Sequence, residues 1–173
     1  MHLGTLYGSR NLDLFFEALD ELYAEKRVKA GDLAIVNIGS VYCNQKEEYL
    51  RRKDFSVLEE MSRQEAIQRA SKADAMLIVQ HADSRSLETI PYKSYDYLNL
   101  NRPILGLIDN PELSSLLLKA QRGAAVADGK SKTQIKSSIL QIILLCKNGK
   151  VSSLKAQPLN IVSQFLSILK VEN

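Results

Sequence analysis

The stretch AMLIVQHADSRSLETIPYKSYDYLNLNRPILGLI, residues 75–108, decides the fold. Ala75–Gln80 is a short, unbroken apolar run, as expected of a strand buried on both faces. A polar loop, 81–90, follows, and Pro91 is suited to the first turn of a helix, because it lacks only an N–H that the helix start leaves unbonded anyway. Pro103–Ile108 is a second buried apolar run. Strand, helix and strand in this order form a βαβ unit, whose strands must run parallel.

The same alternation extends in both directions. Toward the N-terminus, HLGTLYG reads as a first strand broken by Gly4 and Gly8. Asn11 caps a helix whose inward face is Leu12, Phe15, Phe16, Leu19, Leu22 and Tyr23. Leu33–Gly39 reads as a buried second strand, a poorly patterned charged segment follows, and Phe55–Met61 reads as a third strand. Ser62 and Glu65 have the spacing of a capping box.

Toward the C-terminus, Asn110, Pro111 and Glu112 start a helix with Leu113, Leu116, Leu117 and Ala120 on one face, and Gly123 falls just past its end. Ala124–Ala127 is a sixth strand. Ser131 and Gln134 form another capping box, before a helix that turns Ile135, Ile139, Ile142, Ile143 and Cys146 inward. A loop over Lys147–Leu159 leads to a last helix with Ile161, Phe165, Ile168 and Leu169. No repeat or internal boundary interrupts the pattern. The reading is one domain, 1–173, with a Rossmann-like three-layer α/β sandwich around a parallel sheet of about six strands.

Composition agrees. Of 173 residues, 45% are hydrophobic and 25% charged, enough apolar chain for a core without a disulfide or metal staple. Cys43 and Cys146 lie too far apart for a metal or redox motif, which suits a reducing, cytoplasmic setting. No run approaches the length of a membrane span, and no signal peptide is visible. A net charge of +3, from 23 basic and 20 acidic residues, is too small to argue for nucleic acid.

In a doubly wound sheet of order 3-2-1-4-5-6, ligands bind outside the carboxyl ends of strands 1 and 4, where the order reverses. There Tyr7–Asn11 faces Gln80–Pro91. Each loop leads into a helix N-terminus, whose N–H groups favour phosphate. Arg10 stands in the first loop, Lys93 just inside the second helix, and His81 at the end of strand 4. A phosphorylated ligand is implied. A nicotinamide dinucleotide is not, since the G-x-G-x-x-G pattern is missing after strand 1 and strand 2 ends in Gly39 rather than an acid.

ETIPYKSYDYLNLNRPIL resembles the donor domain of the retaining, two-Rossmann-domain (GT-B) glycosyltransferases. That family carries E-x7-E, a small-residue turn and Pro-Val. Here Glu88 and Asp96 have the spacing, Pro103 and Ile104 follow, and Ile90, Pro91, Lys93, Tyr97 and Leu98 match a familiar variant. Gly4 and Arg10 match the glycine and later basic residue after the family's first strand, and Ala73–Asp74 its usual Ala-Asp before strand 4. The likeness runs in order along nearly the whole chain. It departs at Asp96, where the family has Glu, at Thr5, where it has a basic residue, and at Asn101, where it has glycine.

The resemblance implies one half of a GT-B enzyme. Asp96 would hold the donor ribose and Glu88 the donor sugar, while Arg10 would stabilise the diphosphate leaving group. Ser9, Lys93 and the backbone from Thr89 and Ile90 to Tyr92 would assist at the phosphates, and Met61 and Ser62 would flank the base. The donor would be a UDP- or GDP-sugar, with no resident cofactor or metal. The acceptor would be a glycan or lipid-linked molecule bound by an N-terminal domain outside this chain, in an enzyme associated with the cytoplasmic face of a membrane. Read without the family, Glu88, Asp96 and Arg10 are solvated surface charges, His81 is a structural strand-end histidine and Met61 is core. A stand-alone sugar-nucleotide or phosphate-binding module, or half of a sugar-nucleotide epimerase, are the alternative functions.

Overall fold

A computed structural model describes residues 1–119 and 123–148. Within them, strands β1 (His2–Leu3), β2 (Leu6–Tyr7), β3 (Ile35–Ile38), β4 (Val41–Tyr42), β5 (Phe55–Leu58), β6 (Met76–Val79), β7 (Ile104–Leu107) and β8 (Ala124–Ala127) alternate with helices. The helices are α1 (Asp13–Ala24), α2 (Lys46–Arg51), α3 (Arg63–Ala70), α4 (Arg85–Glu88), α5 (Lys93–Asn99), α6 (Pro111–Lys119) and α7 (Lys132–Asn148).

Every ladder is parallel, and the fold is α/β, compatible with a Rossmann-like arrangement. The expected six-stranded sheet is corrected: the ladders are β1-β3-β5, β2-β4 and β6-β7-β8. Two local causes divide them. Gly4 and Gly39 have φ of +114° and +126°, and a Cβ on Gly39 would lie 2.9 Å from the Gly4 carbonyl carbon and oxygen. Only glycine permits that backbone contact. Both strands kink there and resume as β2 and β4, stitched by Gly4 N–H to Ile38 O (2.8 Å) and Leu6 N–H to Ser40 O (3.0 Å).

The second cause lies between β1 and β6. The Met1 amine donates to Ala75 O (2.7 Å) and Leu77 N–H to Met1 O (2.7 Å), one rung of a parallel ladder. The next rung would use the N–H and C=O of Leu3. Instead Leu3 N–H donates to Tyr97 OH (2.8 Å), and Lys93 Nζ donates to Leu3 O (3.1 Å). Side chains of α5 thus stand where β6 would have continued the ladder. Across this gap the order is β5-β3-β1, then β6-β7-β8, which is the 3-2-1-4-5-6 sequence with a split at the switch point.

Strand alternation assigns the two faces. Leu77, Val79, Leu105, Leu107, Ala125 and Ala127 pack with Phe15, Leu19 and Leu22 of α1 and Ile135, Ile139 and Ile142 of α7. Met76, Ile78 and Ile104 pack with Tyr97 and Leu98 of α5 and Leu113 and Leu117 of α6. Phe16, Tyr49 and Phe55 meet edge-on, with centroids 4.8 to 5.6 Å apart, and close the first core at its β5 end.

Several local expectations change. The charged segment contains α2, the polar loop contains α4, and the third strand stops at Leu58. Asn11 caps α1 from one residue further out, its Oδ1 accepting from Asp13 N–H (3.1 Å). At the start of α7, Gln134 N–H reaches Ser131 Oγ (3.4 Å), but Gln134 Oε1 turns to Asp128 N–H (3.0 Å), so only half of that capping box forms. Lys147 is still inside α7, and the expected last helix lies outside the described residues.

Candidate functional site

The carboxyl ends of β2 and β6 are tied together by a polar cluster. The Tyr7–Arg10 turn, closed by mutual backbone hydrogen bonds of 2.9 and 3.0 Å, presents Ser9 and Arg10 toward the loop after β6. Ser9 Oγ donates to the Asp83 carboxylate, and Ala82 N–H donates to Ser9 O (3.2 Å). His81 Nδ1 lies 2.9 Å from Ser9 Oγ, and its Nε2 lies 3.2 Å from Tyr7 OH. Since the hydroxyl proton goes to Asp83, His81 Nδ1 carries the proton that meets Ser9, and Nε2 accepts from Tyr7.

Burial first, then the charges of Arg10 and Arg85, hold His81 below its usual range and neutral. Arg85 grips Asp83 through two hydrogen bonds, 2.9 and 2.7 Å, and this pairing keeps that carboxylate ionised. Ser9, His81 and Asp83 therefore do not form a nucleophile-activating relay. In such a relay the serine proton passes to histidine; here it is committed to a carboxylate. The cluster holds the first loop against the second.

Arg10 is the cation this clamp presents. Its guanidinium carbon lies 5.3 Å from the Tyr7 ring centroid, and its Nε is buried without a hydrogen-bond partner among the described residues. Its charge lowers the pKa of His2, His81 and Lys93, so all three lie within its field.

At the helix N-terminus after the first loop, two N–H groups that were expected to be free for a phosphate are already engaged. Leu12 N–H donates to Tyr49 OH (2.7 Å), Asp13 N–H goes to Asn11, and Asp13 itself, accepting from Tyr49 OH, places a negative charge there.

Lys93 reaches into the split between β1 and β6. Its Nζ is 2.6 Å from His2 Nε2, His2 Nδ1 is 2.6 Å from Asn37 Oδ1, and Asn37 Nδ2 donates to Gly39 O (2.7 Å). The donors fall in one direction, from Lys93 to His2 to Asn37 to Gly39. His2 and Asn37 are fully buried and paired in register on β1 and β3. Desolvation, with Lys93 beside it, keeps His2 neutral. Burial, with Arg10 second, pushes Lys93 down to about 7.

Asp96, on the next turn of α5, is bonded by Arg63 Nη2 at 2.5 Å. Arg63 leads α3 directly after Met61 and Ser62, and Ser62 caps that helix in the expected reciprocal box with Glu65. The structure thus joins the predicted ribose residue to the predicted base residues through an arginine the sequence did not single out. Glu88 ends α4 with its side chain exposed, and Ile90 packs on the second core.

Thr89 is held by its carbonyl, which accepts from Gln80 Nε2 (3.1 Å). The same amide donates to Ser86 O (3.2 Å), and Asn110 Nδ2 donates to Ser86 O and Leu87 O (3.2 Å each). These buried amides fix the segment that carries Glu88 and Thr89. In sequence Gln80 was visible only as the polar end of an apolar strand and Asn110 only as part of a helix start, while Asn37 interrupts an apolar strand.

No protein-family model matches the chain, and no curated protein matches it. Among the described residues, no helix is long and apolar enough to cross a membrane.

Proposed function

We propose that this chain binds a nucleoside-diphosphate sugar, uridine or guanosine based, as the donor half of a retaining GT-B glycosyltransferase. The observation that carries the reading is Arg10: a guanidinium with a buried, partnerless Nε, held by a dedicated clamp at the switch point of a parallel α/β fold. A buried donor left without an acceptor costs about 1–3 kcal/mol. A diphosphate reaching this half-buried side chain offers acceptors to the guanidinium, whose planar fork fits phosphate.

In this reading Arg10, with Lys93 behind it, offsets the charge that develops as the nucleoside diphosphate departs. Asp96 accepts ribose hydroxyls, while Met61 and Ser62 flank the base. Glu88 orients the sugar, and the Thr89–Ile90 backbone and Ser9 shape the phosphate pocket. Retaining transfer to a glycan or lipid-linked acceptor requires a second domain, so the chain alone is expected to bind donor without transferring it.

The test is calorimetric titration with uridine, UDP, guanosine and GDP, for the native chain and Arg10→Ala. The expected result is diphosphate binding that Arg10→Ala weakens by about tenfold to a hundredfold, as for a lost charge-assisted hydrogen bond of roughly 1.5–3 kcal/mol, with the nucleoside hardly affected. Equal losses for nucleoside and diphosphate would remove Arg10 from the phosphates. Absence of any diphosphate binding would overturn the reading.

A further inference from the structure

We propose that Lys93 is a reserve counter-charge: an anion settling against Arg10 draws a proton from solvent onto the Lys93 amine, so that donor binding and proton uptake are one event. The proposal rests on the nucleotide-sugar reading and adds to it a pH coupling.

The geometry places the amine where it can serve this way. It stands in the gap left by the missing β1–β6 rung, within the field of Arg10, and is anchored on the Leu3 carbonyl and His2 Nε2. Both contacts are made by a neutral amine as well as by an ammonium, so the side chain need not move to change charge.

The groups around it set the direction. From β1 come His2, neutral, and the terminal amine of Met1, which burial lowers to about 6. From β3 comes Asn37, which is uncharged and reached through His2. From the first loop comes Arg10, a like charge. From α5 itself come the Tyr97 hydroxyl, raised by burial and therefore protonated, and Asp96, which is committed to Arg63.

Among the described residues, then, burial and Arg10 act on the amine and both oppose its charge, bringing it to about 7. A diphosphate against Arg10 cancels that repulsion and adds an attraction, so the bound amine holds its proton to higher pH. At pH 8 a group with a free pKa of about 7 is roughly nine-tenths deprotonated, and binding takes up close to one proton. Above pH 7, affinity then falls by nearly tenfold for each pH unit until the bound group also titrates.

The experiment is titration of the native chain with UDP and GDP at pH 8, in two buffers of different ionisation enthalpy, followed by a pH series from 7 to 9. The terminal phosphate, with a pKa near 6, is already ionised there and contributes no proton. The expected result is uptake of about 0.9 proton and the stated pH slope, both abolished in Lys93→Met while weaker, Arg10-dependent binding remains. If the methionine variant does not fold, Lys93→Arg, charged throughout the range, is expected to bind with no uptake. Binding without proton uptake, or equal uptake in the variants, would overturn the coupling and leave the donor reading intact. No binding of either diphosphate would overturn the donor reading and the coupling with it.

Discussion

Asp96 on α5 and Arg63 at the head of α3 are joined by a 2.5 Å hydrogen bond through one guanidinium nitrogen and one carboxylate oxygen. Among the described residues the second oxygen of Asp96 has no hydrogen-bond partner, which leaves it for another donor. The carboxylate is mostly buried, with its side chain 16% exposed, whereas that of Arg63 is 68% exposed, so the pair is a fixed acceptor held by a solvated cation. If Asp96 grips the ribose, Asp96→Asn weakens nucleoside, nucleoside diphosphate and nucleotide sugar alike, by about 1 to 3 kcal/mol. Arg63→Ala is expected to lower the unfolding midpoint only slightly, because the arginine end of the pair is solvated. Calorimetry with the three ligands and a thermal melt check both. An Asp96 variant that keeps full nucleoside affinity would dismiss the assignment.

Gly39 is a purely backbone test. Its φ of +126° and the 2.9 Å approach to Gly4 leave no room for a Cβ and no comfortable conformation for a residue that has one. Gly39→Ala is expected to destabilise the fold by at least roughly 1–3 kcal/mol, the range for strained backbone alone. Gly31→Ala, also at positive φ (+92°) but with open space around it, is expected to lose less. Urea denaturation compares them, and equal losses would remove the role given to the Gly4 contact.

The pH dependence of stability follows from the enclosed amine. In the unfolded chain Lys93 titrates near 10.5, in the folded chain at about 7. Below pH 7 both states hold the proton and the full penalty of burying it applies. Between 7 and 10.5 the unfolded state binds more protons, so stability rises with pH through that window. Relative to Lys93→Met, which lacks the titration, the native chain is expected to gain up to about 1.4 kcal/mol per pH unit. Chemical denaturation of both at pH 7.5 and 9.5 measures this, and a constant difference would mean that the amine titrates normally.

The apolar periodicity made the strands and helix faces legible in the sequence, because burial on a parallel sheet imposes it wherever a strand or helix packs. Gly4 and Gly39 were legible as interruptions, but their mutual contact was not, since one sequence does not say which glycines meet. The split between β1 and β6 was hidden for a related reason: the sequence offers Lys93 for a phosphate and Tyr97 for a motif, and nothing in it says that the Leu3 peptide donates to one and accepts from the other. Candidate residues near the chain's polar loops, Arg10 and His81, could be picked out by position. Arg63, Asp83 and Arg85 could not, because exposed charges occur everywhere and only distance selects them.

Glu88 offers the sharpest separation of roles. Its side chain is exposed at the end of α4, while the backbone beneath it is fixed by Gln80 and Asn110 through the carbonyls of Ser86, Leu87 and Thr89. The carboxylate is therefore not needed to hold the loop, and Glu88→Gln preserves shape while removing charge. If Glu88 contacts only the donor sugar, this variant leaves nucleoside and nucleoside diphosphate affinities unchanged. The nucleotide sugar alone is then penalised, by about 1.5–3 kcal/mol for a hydrogen bond to a charged group. Surface substitutions of this kind change stability by less than about 0.5 kcal/mol, so the melting temperature serves as the control. Titrating native and Glu88→Gln chains with UDP and GDP, and with the glucose conjugate of the one that binds, decides it. Loss of nucleoside diphosphate affinity would move Glu88 from the sugar to the phosphates, and an unchanged nucleotide-sugar affinity would return it to solvent.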